Sequence, residues 1–218
     1  IALISLSANA TIILATDFND RTVIGDTASD LNWTYYGIST PGDLSADFSL
    51  FTTSQASDLF VVNSNIVNES PWTVDISLNV LSEELSELVL SLDAFIFSNH
   101  GLPQGVQRNL DLTANLLNSS NDIISSIRLD DIYANNGAFL SSMPNGSSVE
   151  FDFIGARLLA NNTYTLRIFA EGQGYGNNAG FDNLQLVAKV PEPLPVIFLA
   201  IGLITIALRK RSIITTIK

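Results

Sequence analysis

The segment WTVDISLNV, residues 72–80, alternates apolar and polar side chains, and its apolar positions run from Val74 to Val80 at every second residue. The same alternation returns in LVLSL, residues 88–92. A period of two is typical of a β-strand with one face buried and the other in water. These two segments therefore predict β-strands of an all-β domain.

The rest of the body shows the same pattern, with short apolar runs separated by turn residues such as Thr40-Pro41-Gly42-Asp43. Strands are predicted at 12–18, 31–36, 46–51, 59–62, 72–80, 88–97, 106–116, 123–129, 149–154, 163–170 and 181–188. A helix over 81–90 is the alternative to a turn leading into the next strand, and we favour the turn. Because about eleven short strands occur without sustained helical periodicity, we expect an antiparallel two-sheet sandwich, a jelly roll.

The two ends of the body carry a further pattern. An ATDF segment ends the first strand, and a loop rich in Gly and Asn, 172–180, leads into the last strand. This combination resembles carbohydrate-binding jelly-roll modules. The resemblance implies that the first and last strands pair as neighbours.

The C-terminal region has three consecutive parts: VPEP at 190–193, an uncharged apolar run at 194–208, and the basic triplet Arg209-Lys210-Arg211. Fifteen apolar residues are fewer than the ~20 of a usual membrane span, so a buried helix or a terminal strand is the alternative. The run has no polar face, however, and a basic flank is typical of the cytoplasmic side of a membrane helix. We therefore predict a transmembrane helix at 194–208, a cytoplasmic tail at 209–218, and a body outside the membrane.

This order of parts resembles the PEP-CTERM sorting signal of Gram-negative bacteria. The resemblance is carried by residues of the motif and of the basic cluster: Val190, Pro191, Glu192, Pro193, Arg209, Lys210 and Arg211. It implies an exosortase-type membrane protease as partner, cleavage near the motif, and delivery to the cell surface or the extracellular matrix. The tail at 212–218 departs from the usual pattern, in which the chain stops soon after the basic cluster.

The opening segment IALISLSANA, residues 1–10, has the character of the end of a secretory signal peptide. An apolar stretch is followed by Ala8-Asn9-Ala10, which fits the A-x-A cleavage pattern. A first β-strand is the alternative. The predicted organisation is thus a signal-peptide remnant at 1–10, a β-sandwich at 11–188, a linker with the sorting motif at 189–193, and the membrane helix and tail.

The body is strongly acidic: residues 11–189 contain 6 Lys or Arg and 21 Asp or Glu, a net charge of −15. This charge disfavours nucleic acid and anionic membrane surfaces as partners, and it favours divalent cations. If the first and last strands pair, Asp17 and Asp182 lie close, with Asn19, Asp20 or Asn183 able to add oxygens for Ca²⁺. The alternative is that the acidity only keeps the protein soluble.

Aromatic residues are the candidates for carbohydrate binding. Trp33 and Tyr35 share one face of a predicted strand while Tyr36 takes the other, and Tyr175 lies in the glycine-rich loop. Aromatic residues in strands often belong to the core, so at least one of Trp33 and Tyr35 is expected to be buried.

Signals for catalysis are weak. The single histidine, His100, lies in a loop, and the chain has no G-x-S-x-G motif and no cysteine. The paired carboxylates of sandwich glucanases are also missing, so no enzyme is expected. The leading interpretation is an exported surface or exopolysaccharide-matrix protein with a calcium-stabilised sugar-binding body. The alternatives are a structural matrix protein without a specific ligand and a tail-anchored periplasmic domain.

Overall fold

The computed structural model describes residues 9–18, 22–24, 27–29, 31–45, 49–50, 60–63, 72–97, 109–132, 147–173 and 178–190. Within these ranges the regular structure is entirely β-strand. The strands are β1 Asn9–Thr16, β2 Thr22–Ile24, β3 Thr27–Ser29, β4 Thr34–Tyr35, β5 Leu44–Ser45, β6 Ser49–Leu50, β7 Phe60–Asn63, β8 Trp72–Asn79, β9 Leu85–Phe97, β10 Asn109–Leu117, β11 Ile123–Ile132, β12 Ser147–Leu158, β13 Thr163–Gln173 and β14 Asn178–Val190.

Two antiparallel sheets form the sandwich. The first sheet has the order β12-β9-β14-β1-β4, with β7 beside the start of β14 and β6 beside β7. The second sheet has the order β11-β10-β13-β8, and β2, β3 and β5 form a small separate sheet. Among the eight long strands, consecutive strands alternate between the two main sheets except at the β10–β11 hairpin. This is jelly-roll connectivity, so the predicted all-β sandwich is confirmed.

The first and last long strands are neighbours, as predicted. Strand β1 pairs with β14 antiparallel from Asn9↔Val190 to Thr16↔Leu184. The ladder includes Asn9 and Ala10, which the sequence places in the signal remnant. Cleavage after Ala10 would leave the pairs from Thr11↔Ala188 onward in place.

The hydrophobic core lies between the two main sheets. The alternation in 72–80 places Val74, Ile76, Leu78 and Val80 in this core, all at most 3% exposed. Strands β9 and β12 supply the opposing layer, chiefly Leu88, Leu90, Leu92, Phe151 and Phe153. Burial of these apolar side chains is the main stabilising contribution to the fold.

Each of the eleven predicted segments coincides with a strand, but three strands were missed. Strands β2 and β3 form a hairpin inside the polar run 19–30, and β5 pairs with β3. Such short strands lack an apolar face from which to predict them. The turn over the first part of 81–90 is confirmed, because β9 begins at Leu85 directly after residues 81–84.

Ion pairs cross the outer face of the second sheet. The Arg128 guanidinium contacts Asp111 at 2.7 Å and both Asp130 and Glu171 at 2.6 Å. The hydrogen bonds to Asp130 and Glu171 raise the pKa of Arg128 above its ordinary value, so this side chain stays charged. Because Arg128 lies on β11, Asp111 on β10 and Glu171 on β13, this one cation links three adjacent strands.

Several sequence predictions fall outside the described residues. These include the signal remnant up to residue 8, His100, Tyr175, the sorting motif beyond Val190, the apolar run 194–208 and the basic triplet. Within the described ranges the chain forms no apolar helix long enough to span a bilayer.

Candidate functional site

A groove of about 390 Å³ crosses four strands of the first sheet. Register places Ala15, Thr34, Ser91 and Gln185 beside one another on the outer face, because Ala15 pairs with both Thr34 and Gln185, and Gln185 pairs with Ser91. The residues that line the groove are Ala15, Thr16, Asp17, Asn32, Thr34, Ser91, Asn183, Leu184 and Gln185.

Irregular backbone shapes one side of the groove. The pairing of β14 with β9 shifts register between Asp182 and Gln185, and Asn183 within this bulge has a left-handed φ of 50°. Just after β1, Phe18 also adopts a left-handed φ, of 53°, and its N–H donates to Thr16 Oγ1 at 3.1 Å. Bulges and left-handed residues of this kind redirect side chains and are frequent beside functional sites.

Three aromatic rings of the core, or packed against it, are close in sequence to residues that line the groove. Phe18 follows Asp17, Phe181 precedes Asn183 by two residues, and Trp33 lies between two lining residues. The Phe18 ring contacts Phe181 edge-to-face at 5.4 Å and Trp33 at 6.4 Å, measured between centroids. The aromatic contacts therefore fix the relative positions of three backbone segments that form the groove.

The three aromatic residues proposed for sugar binding take different places. Trp33 packs against the core, and its indole N–H donates to the Gly42 carbonyl at 3.0 Å, so this ring is structural. Tyr35 is 47% exposed, but its pairing with the buried Leu14 places it on the inward face at the sheet edge. Neither ring lines the groove, and Tyr175 lies outside the described residues.

Hydrogen bonds fix the amide of Asn183 at the edge of the groove. Its side-chain nitrogen donates to Asp93 Oδ2 at 2.8 Å, and its backbone N–H donates to Asp182 Oδ1 at 2.8 Å. The polar lining consists of amide and hydroxyl groups with one carboxylate, and none of the described lining residues is cationic. Such a surface can exchange hydrogen bonds with a neutral hydroxylated ligand and does not favour phosphate.

The structure brings one of the two predicted calcium ligands into the groove. Asp17 lines it, whereas Asp182 is not among the lining residues and accepts a hydrogen bond from Asn183. Among the described residues there is no group of three or more His, Cys, Asp or Glu side chains arranged to hold a metal. Asn19 and Asp20 lie outside the described residues, so calcium binding remains a prediction.

A calcium ion held by Asp17 and Asp182 predicts a higher melting temperature in CaCl₂ than in EGTA. Ligand at a hundred times Kd stabilises the native state by about 2.7 kcal/mol, which in a domain of this size is a shift of roughly 5–10 °C. Asp182→Asn keeps an acceptor for the Asn183 N–H but removes the charge, so it should abolish the shift. Equal melting temperatures of the unmodified chain in both buffers would refute the calcium hypothesis.

Most of the lining residues were not identified from the sequence. Asn32, Thr34, Ser91 and Gln185 are ordinary polar positions in strands. The only available signal was that Asn32 and Thr34 alternate with Trp33, so they point away from a ring in the core. Ser91 and Gln185 are brought to them by strand order and register.

No family model matches the chain, and no curated protein matches it. Among solved structures it is similar to the CBM22-1 xylan-binding domain of Paenibacillus barcinonensis Xyn10C, with a TM-score of 0.39 and 13% identity over 86% of this chain and 99% of that one. It is also similar to an arabinose-bound GH51 α-L-arabinofuranosidase, with a TM-score of 0.40 and 8% identity over 81% of this chain, but it spans only 26% of that enzyme. A cyclase from Fischerella sp. TAU gives a TM-score of 0.36 at 12% identity, covering 88% of this chain and 94% of the cyclase. The likenesses are distant and involve proteins of unlike function.

Proposed function

We propose that this protein is a non-enzymatic surface or matrix component whose body binds neutral polysaccharide in the groove of the first sheet. The observation that carries the proposal is the groove lining, in which Asn32, Asn183 and Gln185 supply amides while Thr34 and Ser91 supply hydroxyls. Each of these groups can both donate and accept hydrogen bonds, as sugar hydroxyls do.

The size and rigidity of the groove are consistent with a carbohydrate ligand. Its volume of about 390 Å³ falls within the usual range of ligand sites, roughly 300–1,000 Å³. Its floor is sheet backbone supported by the Phe18–Phe181 contact, so the backbone segments that carry the lining groups are held in place before binding. Preorganisation of this kind lowers the entropic cost of association.

The mode of recognition follows from what lines the groove. Because Trp33 is directed into the core, hydrogen bonding rather than stacking on that ring would provide the binding energy. We expect modest affinity, since hydrogen bonds to a solvated ligand replace hydrogen bonds to water. Tyr175 remains a candidate for contacts with parts of a polymer that extend beyond the groove, whereas Tyr35 lies on the other face of the sheet.

The export part of the proposal comes from the two ends of the sequence. The small-residue segment at 8–10 indicates secretion, and the motif at 190–193 with its apolar run and basic triplet indicates sorting by an exosortase-type protease. The protein would pass through the inner membrane of a Gram-negative bacterium and reach the cell surface or matrix. A polysaccharide-binding body is well suited to that location.

Polysaccharide binding can be tested by affinity electrophoresis and a glycan array with the folded protein. Gln185→Ala and Asn32→Ala each remove hydrogen-bonding groups worth about 1 kcal/mol, so together they should weaken binding about tenfold or more. Asp130→Asn is the matched control, because this exposed residue lies on the other sheet and should leave binding unchanged.

Two results would count against this function. If the unmodified protein is not retained by any neutral polymer, a purely structural matrix protein without a specific ligand becomes the better assignment. If it binds but the double variant binds equally well, the ligand site lies elsewhere on the body.

A further inference from the structure

Large apolar side chains are exposed over one half of the sandwich. Among the described residues they are Ile12, Tyr35, Tyr36, Leu81, Ile123, Ile124, Ile154 and Leu159. Tyr36 is 52% exposed, Leu159 50% and Ile154 85%. We call the end of the sandwich at which β14 finishes the exit end, and it is formed by residues 36–39, 81–84, 118–122 and 159–162.

Hydrogen bonds join three of these loops at the exit end. The Leu81 N–H donates to the Gly37 carbonyl at 3.0 Å, and the Asn161 N–H donates to the Leu81 carbonyl at 2.8 Å. Tyr36, Leu81 and Leu159 therefore lie on adjacent loops whose backbone is fixed. Their exposed apolar side chains are thus carried by neighbouring loops at the same end of the domain.

Other exposed apolar residues lie on the strands that lead to the exit end. Ile123 begins β11 directly after the turn at 118–122, and Ile154 precedes Gly155, whose φ of 77° marks the irregular part of β12. Ile12 pairs with Val187 near the end of β14. Ile12, Ile123 and Ile154 are thus nearer to the exit end than to the opposite end of their strands.

The C-terminal sequence indicates what this end contacts. Strand β14 finishes at Val190, and only residues 191–193 separate it from the uncharged apolar run that begins at Leu194. Three extended residues span at most about 10 Å. If 194–208 is inserted in a bilayer, the exit end is held within that distance of the lipid surface.

The charges at the exit end also suit an uncharged lipid surface. Glu84 pairs with Arg157 at 2.6 Å, and Glu87 pairs with Lys189. The hydrogen bond to Glu84 raises the pKa of Arg157, so this guanidinium remains charged. Glu83 in the same loop adds negative charge, so contact through apolar side chains is favoured over attraction to anionic lipids.

We propose that the exit end of the sandwich is a membrane-contact surface, with Tyr36, Leu81 and Leu159 entering the boundary between lipid headgroups and acyl chains. The proposal rests on membrane insertion of residues 194–208, which belongs to the proposed export function. Its consequence is orientation: the groove, on the outer face of the first sheet, opens sideways along the membrane plane, and residues 191–193 are presented at the lipid surface.

The test uses the full chain in vesicles of phosphatidylethanolamine and phosphatidylcholine, some of them carrying a nitroxide near the headgroup. The sequence has no cysteine, so single-cysteine variants take one fluorescent label each. Leu81→Cys and Leu159→Cys probe the exit end. Ser148→Cys is an exposed control near the opposite end, and Ala200→Cys reports insertion of the tail.

We expect the nitroxide lipids to quench most of the fluorescence at positions 81, 159 and 200 and little of it at position 148. Quenching at 200 without quenching at 81 and 159 would overturn the membrane-contact proposal while leaving the anchor intact. If the label at position 200 is not quenched, the prediction that residues 194–208 insert in the bilayer is wrong, and the membrane-contact proposal is wrong with it. Equal quenching at 148 and 159 would show that the body has no preferred orientation.

Discussion

Replacing Phe18 by alanine is expected to lower the free energy of unfolding by about 4 kcal/mol. The ring is fully buried and makes edge-to-face contacts with both Phe181 and Trp33, so its removal leaves a cavity and two unsupported rings. The left-handed φ of 53° strains phenylalanine and alanine alike, so the expected loss comes from the missing packing of the ring. Denaturant unfolding monitored by Trp fluorescence measures this change.

Tyr36→Ala is the matched control for the loss of an aromatic ring. Its side chain is 52% exposed, so removing it should change stability by no more than about 0.5 kcal/mol. Because Phe18 follows Asp17 in the groove, Phe18→Ala should also weaken polysaccharide binding under conditions where the variant remains folded. If Phe18→Ala costs as little stability as Tyr36→Ala, the three rings do not hold the segments of the groove together.

Replacing both Pro191 and Glu192 by alanine is expected to move most of the protein from the released or surface fraction to the inner membrane. In the unmodified chain, intact mass of the protein recovered from producing cells should show the loss of residues 1–10 and of the segment after about Pro193. The variant should retain the C-terminal segment, because the motif proposed for protease recognition is gone. Glu150→Ala, a change at an exposed body position, should be processed normally.

One result for the unmodified protein would contradict the sorting prediction. If the unmodified protein keeps its C-terminus and stays in the inner membrane, it is a tail-anchored periplasmic domain and the sorting assignment is wrong. This outcome would leave the groove and the membrane-contact surface unaffected, since neither depends on cleavage.

The sandwich was predictable because its long strands bury one face. In β8 and β9 the period-two pattern sets both the type of element and the side that enters the core, and tertiary packing agrees with it. The pairing of β1 with β14 was predictable only through resemblance to carbohydrate-binding jelly rolls. The β2–β3 hairpin was not predictable, because its six strand residues carry no alternating pattern.

The groove was harder to predict, because it depends on contacts that a single strand does not encode. Asn32 and Gln185 are far apart in sequence. They line the same groove only because the strands follow the order β9-β14-β1-β4. Trp33 packs edge-to-face with Phe18, a residue whose left-handed backbone has no signature in the sequence. Polar residues that line a site look like any other solvated positions of a strand.

The placement of β14 also determines when the domain can fold. This last strand lies inside the first sheet, between β9 on one side and β7 and β1 on the other, so it completes the sheet rather than extending its edge. Pairing Asn9 with Val190 closes a loop that contains nearly the whole body, and such long-range contacts make folding slow. A chain that enters a translocation channel N-terminus first therefore stays without its closing strand until almost all of the body has crossed. If the protein is exported as proposed, the first sheet is completed only after nearly all of the body has been transported.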